Sequence, residues 1–356
     1  MSRNRHAVRA AVIFLACALP LSAVAADVPA PAAPTLRELM ATRGLMIGAA
    51  VDVQSLKDEP EYGRVLAEQF NELTPENAMK FDGLHPRPGF GPESYDFGDA
   101  DDLVAFAAAH DMKVRAHTLV WYRAVPKWAK GAAPEHLREI LQNHVETVAA
   151  HFKGKVYSWD VVNEALNRDG SMRDCPWLTA DPDYVADAFR WAHAADPGAK
   201  LFYNDYDMER SPAKADAVIK LIKGLKDAGV PIDGVGLQMH VVAGPHAGDV
   251  ADLLHRFAAL GVEVHITELD VSPVDVVTAV NSAIGSTPPA SDLRLQGEVY
   301  ARALRSCLSE PACKAFVMWG FTDKHTWLPV FQPLIFDKQY QPKPAFAALE
   351  NVLLSH

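Results

Sequence analysis

The chain has 356 residues, 49% hydrophobic and 22% charged, which is the composition of an ordinary globular protein. Its formal charge of −11 argues against nucleic acid or an anionic membrane surface as a partner, because both are themselves negatively charged. Length alone would allow two domains, but α/β barrels of this size are routinely one.

Residues 1–26 read as a secretory signal peptide. Arg3, Arg5 and Arg9 form a basic start, and the apolar run from Ala10 to Leu21 is too short to span a bilayer. Ala23-Val24-Ala25 supplies the small residues for a cut after Ala25 or Ala26. The expected product is exported, to the periplasm or the medium, with charge −11 − 3 = −14 once the three arginines are removed. Cys17 in the apolar run raises a lipoprotein alternative, which Phe14 disfavours by standing where such a signal has leucine. Residues 27–35, with PAPAAP at 29–34, read as a stiff Pro/Ala spacer. Nothing downstream is long and apolar enough for a transmembrane helix.

Residues 36–356 then alternate short apolar runs with amphipathic stretches. The runs predict strands at 46–51, 68–73, 113–119, 156–162, 201–204, 235–239, 262–267 and 315–319. Helices are expected at about 59–70, 99–110, 134–152, 183–195, 212–228, 249–260, 292–309 and 343–354. Asp96 to Asp101 suits a helix start, with acids facing the positive end of the dipole. Gly229 and Gly261 stand where left-handed caps are wanted. Eight such units without a change of composition predict a single (β/α)8 barrel. An open doubly wound sheet is the alternative, but no G-x-G-x-x-G follows the first strand.

Chemistry gathers at the strand tips. The fourth run, in VYSWDVVNEA (156–165), stops abruptly at Asn163-Glu164. The seventh, in VEVHITELD (262–270), ends in Glu268, which strand alternation places on the side of Val264 and Ile266. Two glutamates at separate tips suit acid–base and nucleophilic work on an acetal. Other tips add Glu76, Asn77 and Lys80, then His117 followed by Trp121-Tyr122-Arg123, then Asn204-Asp205-Tyr206, then Gln238 and His240, then Trp319 with Trp327 beyond it. Singly, each also reads as a surface charge, a core imidazole or a packing residue. Converging on one end of a barrel, they predict a polar cleft with aromatic walls. Carboxamides and carboxylates suit hydroxyl groups, and indoles suit the apolar faces of pyranose rings. Phosphate is disfavoured because no glycine-rich cradle is present. A carbohydrate site is expected.

Cys175, Cys307 and Cys313 follow the signal peptide. Cys307 and Cys313 flank Leu308-Ser309-Glu310-Pro311-Ala312, a helix end and proline turn that can bring them together, although spacing alone does not show it. Neither C-x-x-C nor H-E-x-x-H is present, so no metal and no cofactor are expected.

The motifs TPENAMK (74–80), HTLVW (117–121), WDVVNE (159–164), YNDY (203–206), GVGLQMH (234–240), ITELDV (266–271) and WG…W (319, 320, 327) resemble glycoside hydrolase family 10, the endo-β-1,4-xylanases. The resemblance covers about 36–353. It implies retaining endo-hydrolysis of xylan, with Glu164 as acid/base and Glu268 as nucleophile. It further implies that Asn163 holds the sugar 2-hydroxyl and that His240, oriented by Asp270, fixes the nucleophile. Gln238, His117, Trp121 and Lys80 would line the sugar ring at the cleavage point. Glu76 and Asn77 would hold the next ring, and Trp319 and Trp327 would wall the cleft. A Cys307–Cys313 disulfide and a monomer acting on xylan and xylo-oligosaccharides are also expected.

The chain departs from the family at Tyr122 and Ala124, where histidine and glutamine are common, at Phe81 for tryptophan, and at Cys175 for serine. Two other functions remain open: a β-1,4-glycanase of the same barrel type acting on glucan or mannan, and a barrel that binds sugar without cleaving it. The presence of both glutamates argues against the second.

Overall fold

The computed structural model describes residues 33–274 and 289–355, and the described residues from Pro34 onward belong to one compact unit. The proposed signal peptide and most of the spacer lie outside the described residues.

Among the described residues, nine parallel strands appear in order: β1 Met46–Val51, β2 Glu72–Pro75, β3 Lys113–Trp121, β4 Ser158–Asn163, β5 Lys200–Asp205, β6 Gly234–Leu237, β7 His240–Val242, β8 Glu263–Ser272 and β9 Cys313–Met318. Strand β1 pairs with β2 and β9, and β8 pairs with β6 and β9. The sheet therefore closes into an eight-stranded barrel, with helices between the strands. The short β7 lies outside that ring and pairs only with the end of β8, setting His240 opposite Asp270. Burial on both faces explains the unbroken apolar runs: every residue of β4 is buried, and so is all of β1 except Met46.

Proline opens the helices at Pro60–Gln69, Pro134–His151, Pro212–Asp227 and Pro344–Leu354, where its missing N–H costs nothing. Gly229 and Gly261 take positive φ, 65° and 70°, just past helices, as expected.

The second strand departs from expectation. Glu68 and Gln69 continue the helix Pro60–Gln69, whose buried face runs through Tyr62, Val65, Leu66 and Gln69. The strand is therefore Glu72–Pro75, and its tip delivers Glu76 and Asn77 directly. Helices Leu36–Thr42, Val53–Asp58, Phe81–Leu84 and Pro176–Ala180 were not expected from the sequence, being too short for a periodic pattern to show. The first carries a capping box between Thr35 and Glu38. Cys307 and Cys313 form a disulfide with their Cα atoms 5.3 Å apart, and Cys175 is free and buried.

The middle of the barrel is polar. Arg115 on β3 reaches Asp160 on the neighbouring β4, and its Nη1 lies 2.9 Å from His265 Nδ1 on the non-adjacent β8, so the guanidinium crosses the interior. Gly236 on β6 keeps this space open: a Cβ there would lie 2.2 Å from Asn204 Oδ1.

Candidate active site

Strand irregularities aim the site residues. Thr267 and Glu268 are neighbours in sequence, yet Thr267 Oγ1 donates to Asn204 Oδ1 (2.7 Å) and Asn204 Nδ2 donates to Glu268 Oε1 (2.7 Å). Strict alternation, which grouped Glu268 with Val264 and Ile266, would send one of the two away. Instead β8 gains a residue against β9 between Ile266 and Leu269, and the bulge turns Glu268 toward the cleft. Similar shifts occur in β3 after His117 and in β4 after Asp160. At the end of β4, Glu164 takes φ 59°, so Asn163 and Glu164 both reach the same side. Met239, at φ 64°, does the same between Gln238 and His240.

The two carboxylates have unlike partners, and both are largely buried. Glu268 Oε1 accepts from Asn204, and its Oε2 lies 3.1 Å from His240 Nε2. His240 Nδ1 in turn lies 2.8 Å from Asp270 Oδ2, which also accepts from Trp327 Nε1 (2.8 Å). Burial opposes a charge on His240, but Asp270 and Glu268 outweigh it and hold the imidazole well above its ordinary value. A charged ring donates to both acids and keeps Glu268 in place. Glu164 Oε1, by contrast, accepts only from carboxamides: Gln238 Nε2 (3.2 Å) and Asn163 Nδ2 (3.3 Å). Asn163 Oδ1 accepts from Asn204 (2.9 Å) and Gln238 (3.1 Å), linking the two halves.

The cleft has a volume of about 410 Å³. Glu76, Asn77, Lys80, His117, Trp121, Asn163, Glu164, Gln238, His240, Glu268, Trp319 and Trp327 all line it. Asp270 stands behind His240. Lys80 lies between the indoles, its Nζ 5.0 Å from Trp121 and 5.8 Å from Trp319. Burial lowers the Lys80 ammonium, against the pull of Glu268 and Glu76, and burial raises Glu76, against Lys80. Trp319 is mostly buried, edge-on to His117 at 5.1 Å, so it packs as well as lines the cleft. Trp327 is 52% exposed.

Arg123, Asn204 and Tyr206 stood at strand tips in the sequence without being given a role; Arg123 and Tyr206 line the cleft, and the bridging role of Asn204 depends on three strands meeting. Sequence reasoning missed Arg210, which also lines the cleft, and Asp160. Asp160 lies 2.9 Å from His117 Nδ1 and orients that ring.

Of the four departures from the family pattern, Cys175 is buried and does not line the cleft, and the other three fall as follows. Phe81 is buried and stacks on His144 with centroids 3.4 Å apart. Ala124 is 3% exposed and borders a second hollow of about 420 Å³, which shares Asn77, Lys80, Trp121 and Arg123 with the cleft. The hydroxyl of Tyr122 already accepts from Arg123 Nε (2.8 Å).

This geometry has counterparts among known proteins. The profile of glycosyl hydrolase family 10 matches residues 35–352. Endo-1,4-beta-xylanase B of Thermotoga neapolitana is 41% identical over 329 residues, covering 89% of this chain and 91% of that protein. Endo-1,4-beta-xylanase 1 of Humicola insolens is 36% identical, covering 91% of this chain and 75% of that protein. The crystal structure of xylanase 10B from Thermotoga petrophila in complex with xylobiose superposes with a TM-score of 0.82 at 41% identity, covering 90% of this chain and 97% of that one. With a family match over nearly all of its described fold, a closed parallel barrel and paired strand-tip glutamates, the chain belongs to glycosyl hydrolase family 10, a family of glycoside-cleaving enzymes.

Proposed function

We propose that the protein cleaves internal β-1,4-xylosidic bonds of xylan by double displacement with retention of configuration. The observation that carries this reading is the unlike setting of the two glutamates in one sugar-sized cleft. Glu268, held by Asn204 and the His240–Asp270 pair, attacks the anomeric carbon as the bond to the leaving oxygen breaks. Glu164, held only by neutral carboxamides, gives its proton to that oxygen. Water then attacks the xylosyl ester, Glu164 takes the water's proton, and Glu268 is released. In this reading Asn163 meets the sugar 2-hydroxyl, and Lys80, Trp121 and His117 face the ring; that all four line the cleft supports it. Binding of xylobiose by a related barrel supports xylo-oligosaccharides as ligands.

The first product should be the β-anomer. Proton NMR of xylotetraose hydrolysis within the first turnovers checks this, and early appearance of the α-anomer would sink the retaining mechanism. One relative, at 38% identity, is named Exoglucanase XynX of Acetivibrio thermocellus, so carboxymethylcellulose and mannan belong in the same assay. Faster hydrolysis of either would replace xylan as the substrate.

The hollow beside Ala124 motivates a second expectation. A glutamine there would project a donor into it, whereas alanine has none, so a contact worth about 0.5–1.5 kcal/mol is missing. Short substrates, which have fewer other contacts, should suffer most. Ala124→Gln should raise kcat/KM on xylobiose-length substrates a few-fold, up to about tenfold. Assays on substrates of two to five sugars test this, and an unchanged length profile would show that position 124 does not meet the sugar.

We further propose that the mature protein is exported and monomeric. The leader at 1–26 supports export. N-terminal sequencing of periplasmic and culture-fluid material, with size-exclusion chromatography, tests both points. An uncleaved cytoplasmic chain or a stable dimer would overturn them.

A further inference from the structure

Glu164 is the one cleft carboxylate whose own backbone lies in the left-handed region, at φ 59°. For a residue with a Cβ that conformation costs roughly 1–2 kcal/mol, and it persists only where neighbours over-determine it. Two bonds hold the peptide units on either side. Glu164 N donates to Asn204 O (2.9 Å), and Glu164 O accepts from Arg173 Nε (2.9 Å).

Arg173 does more than meet that carbonyl. Its Nη2 donates to Leu166 O (3.0 Å) and to Tyr206 Oη (2.9 Å), and its backbone N donates to Ala165 O (2.8 Å). One guanidinium fork thus spans Glu164, Leu166 and the neighbouring cleft wall. The fork is itself fixed. Its Cζ lies 4.3 Å from the centre of the Tyr122 ring, and Tyr206 rests on the buried Lys214, whose Nζ is 3.7 Å from that ring and 2.6 Å from Asp205. Tyr122, a departure from the family pattern, therefore has a clear contact: it supports Arg173.

We infer that Arg173 is a positioning residue for Glu164, holding the left-handed turn that aims the proton donor at the leaving oxygen. This rests on the reading of Glu164 as the acid. Arg173 itself does not line the cleft. A planar fork suits three acceptors at once, whereas a lysine ammonium is a single point charge on a flexible stem.

Proton donation matters only when the leaving group needs a proton, which separates positioning from general support. The experiment compares kcat/KM on xylotetraose and on 2,4-dinitrophenyl β-xylobioside for wild type, Arg173→Gln, Arg173→Lys, Tyr206→Phe and Glu164→Ala. Circular dichroism confirms folding at the assay temperature. Arg173→Gln should lose on the order of 100-fold on xylotetraose, the cost of a misplaced group, and about threefold or less on the activated substrate. Arg173→Lys should behave like Arg173→Gln, because the charge remains but the fork does not. Tyr206→Phe removes one bond without touching the guanidinium and should show the same split at smaller size, which keeps the test valid if the arginine variants fold poorly. Equal losses on both substrates, or full activity in Arg173→Lys, would overturn the inference. If Glu164→Ala shows no split, the assignment of the acid fails instead.

Discussion

Glu268→Ala should lose roughly 10⁴-fold or more in kcat/KM on every substrate, whatever its leaving group. An alanine cannot form the xylosyl ester, and no activation of the leaving group replaces the missing nucleophile. Glu164→Ala should behave differently. On xylotetraose it should lose about 10²–10⁴-fold, the range of general acid catalysis. On 2,4-dinitrophenyl β-xylobioside the bond-breaking step needs no proton, so that step should be nearly spared and the ester should accumulate as a burst. The structure supports this direction because His240 and Asn204 serve Glu268, while Glu164 meets Gln238 and Asn163. Stopped-flow measurement of dinitrophenolate release separates the two variants. A burst in Glu268→Ala, or equal losses for both variants on both substrates, would mean that the roles are reversed or shared.

The largest stability effect should come from Asp160→Ala. Asp160 lies in the barrel interior and accepts from Arg115 Nε (3.2 Å), with Arg115 Nη2 on its other oxygen and His117 Nδ1 at 2.9 Å. Arg115 and Asp160 are both fully buried. Removing the carboxylate leaves a buried guanidinium bonded, among the described residues, to the His265 ring, with the Glu72 carboxyl as the remaining acidic neighbour, and breaking such a pair costs about 3–5 kcal/mol. Urea unfolding at neutral pH should show that loss, with Tm lower by on the order of 10 °C.

The pH dependence has a definite sign. Burial works against ionised Asp160, but Arg115 and His117 outweigh it and hold the carboxyl below its ordinary range. Its contribution is therefore present above the ordinary carboxylate range and is lost as pH falls through the depressed value. The gap between wild type and Asp160→Ala should narrow in strong acid. A neutral-pH loss below about 1 kcal/mol would show that the interior tolerates an unpaired Arg115.

Much of this was legible in the chain because barrel strands are buried on both faces and must read as apolar runs. Each run ends at the rim of the barrel, so residues placed just past it, such as Glu164, stand at the cleft end of the fold, although what aims them lies elsewhere. Helix limits marked by Pro60, Pro134, Gly229 and Gly261 follow from φ restrictions that the residues carry with them. These are local properties, and amino-acid order determines them directly.

Tertiary structure decided which way the side chains point and what holds them. The bulge that turns Glu268 toward Asn204 exists only because β8 must pair with β9 on one side and β6 on the other. Asn204 bridges Glu268 and Asn163 because β4, β5 and β8 converge and Gly236 leaves room. The chain of Arg115, Asp160 and His117 crosses a closed interior that no linear spacing reveals. Arg173 reads as an ordinary loop arginine until the turn from Leu166 to Met172 folds it back beneath Glu164. A pattern along the chain reports burial, which each residue experiences on its own. Aim and partnership depend on groups brought together from distant strands, and only closing the barrel supplies them.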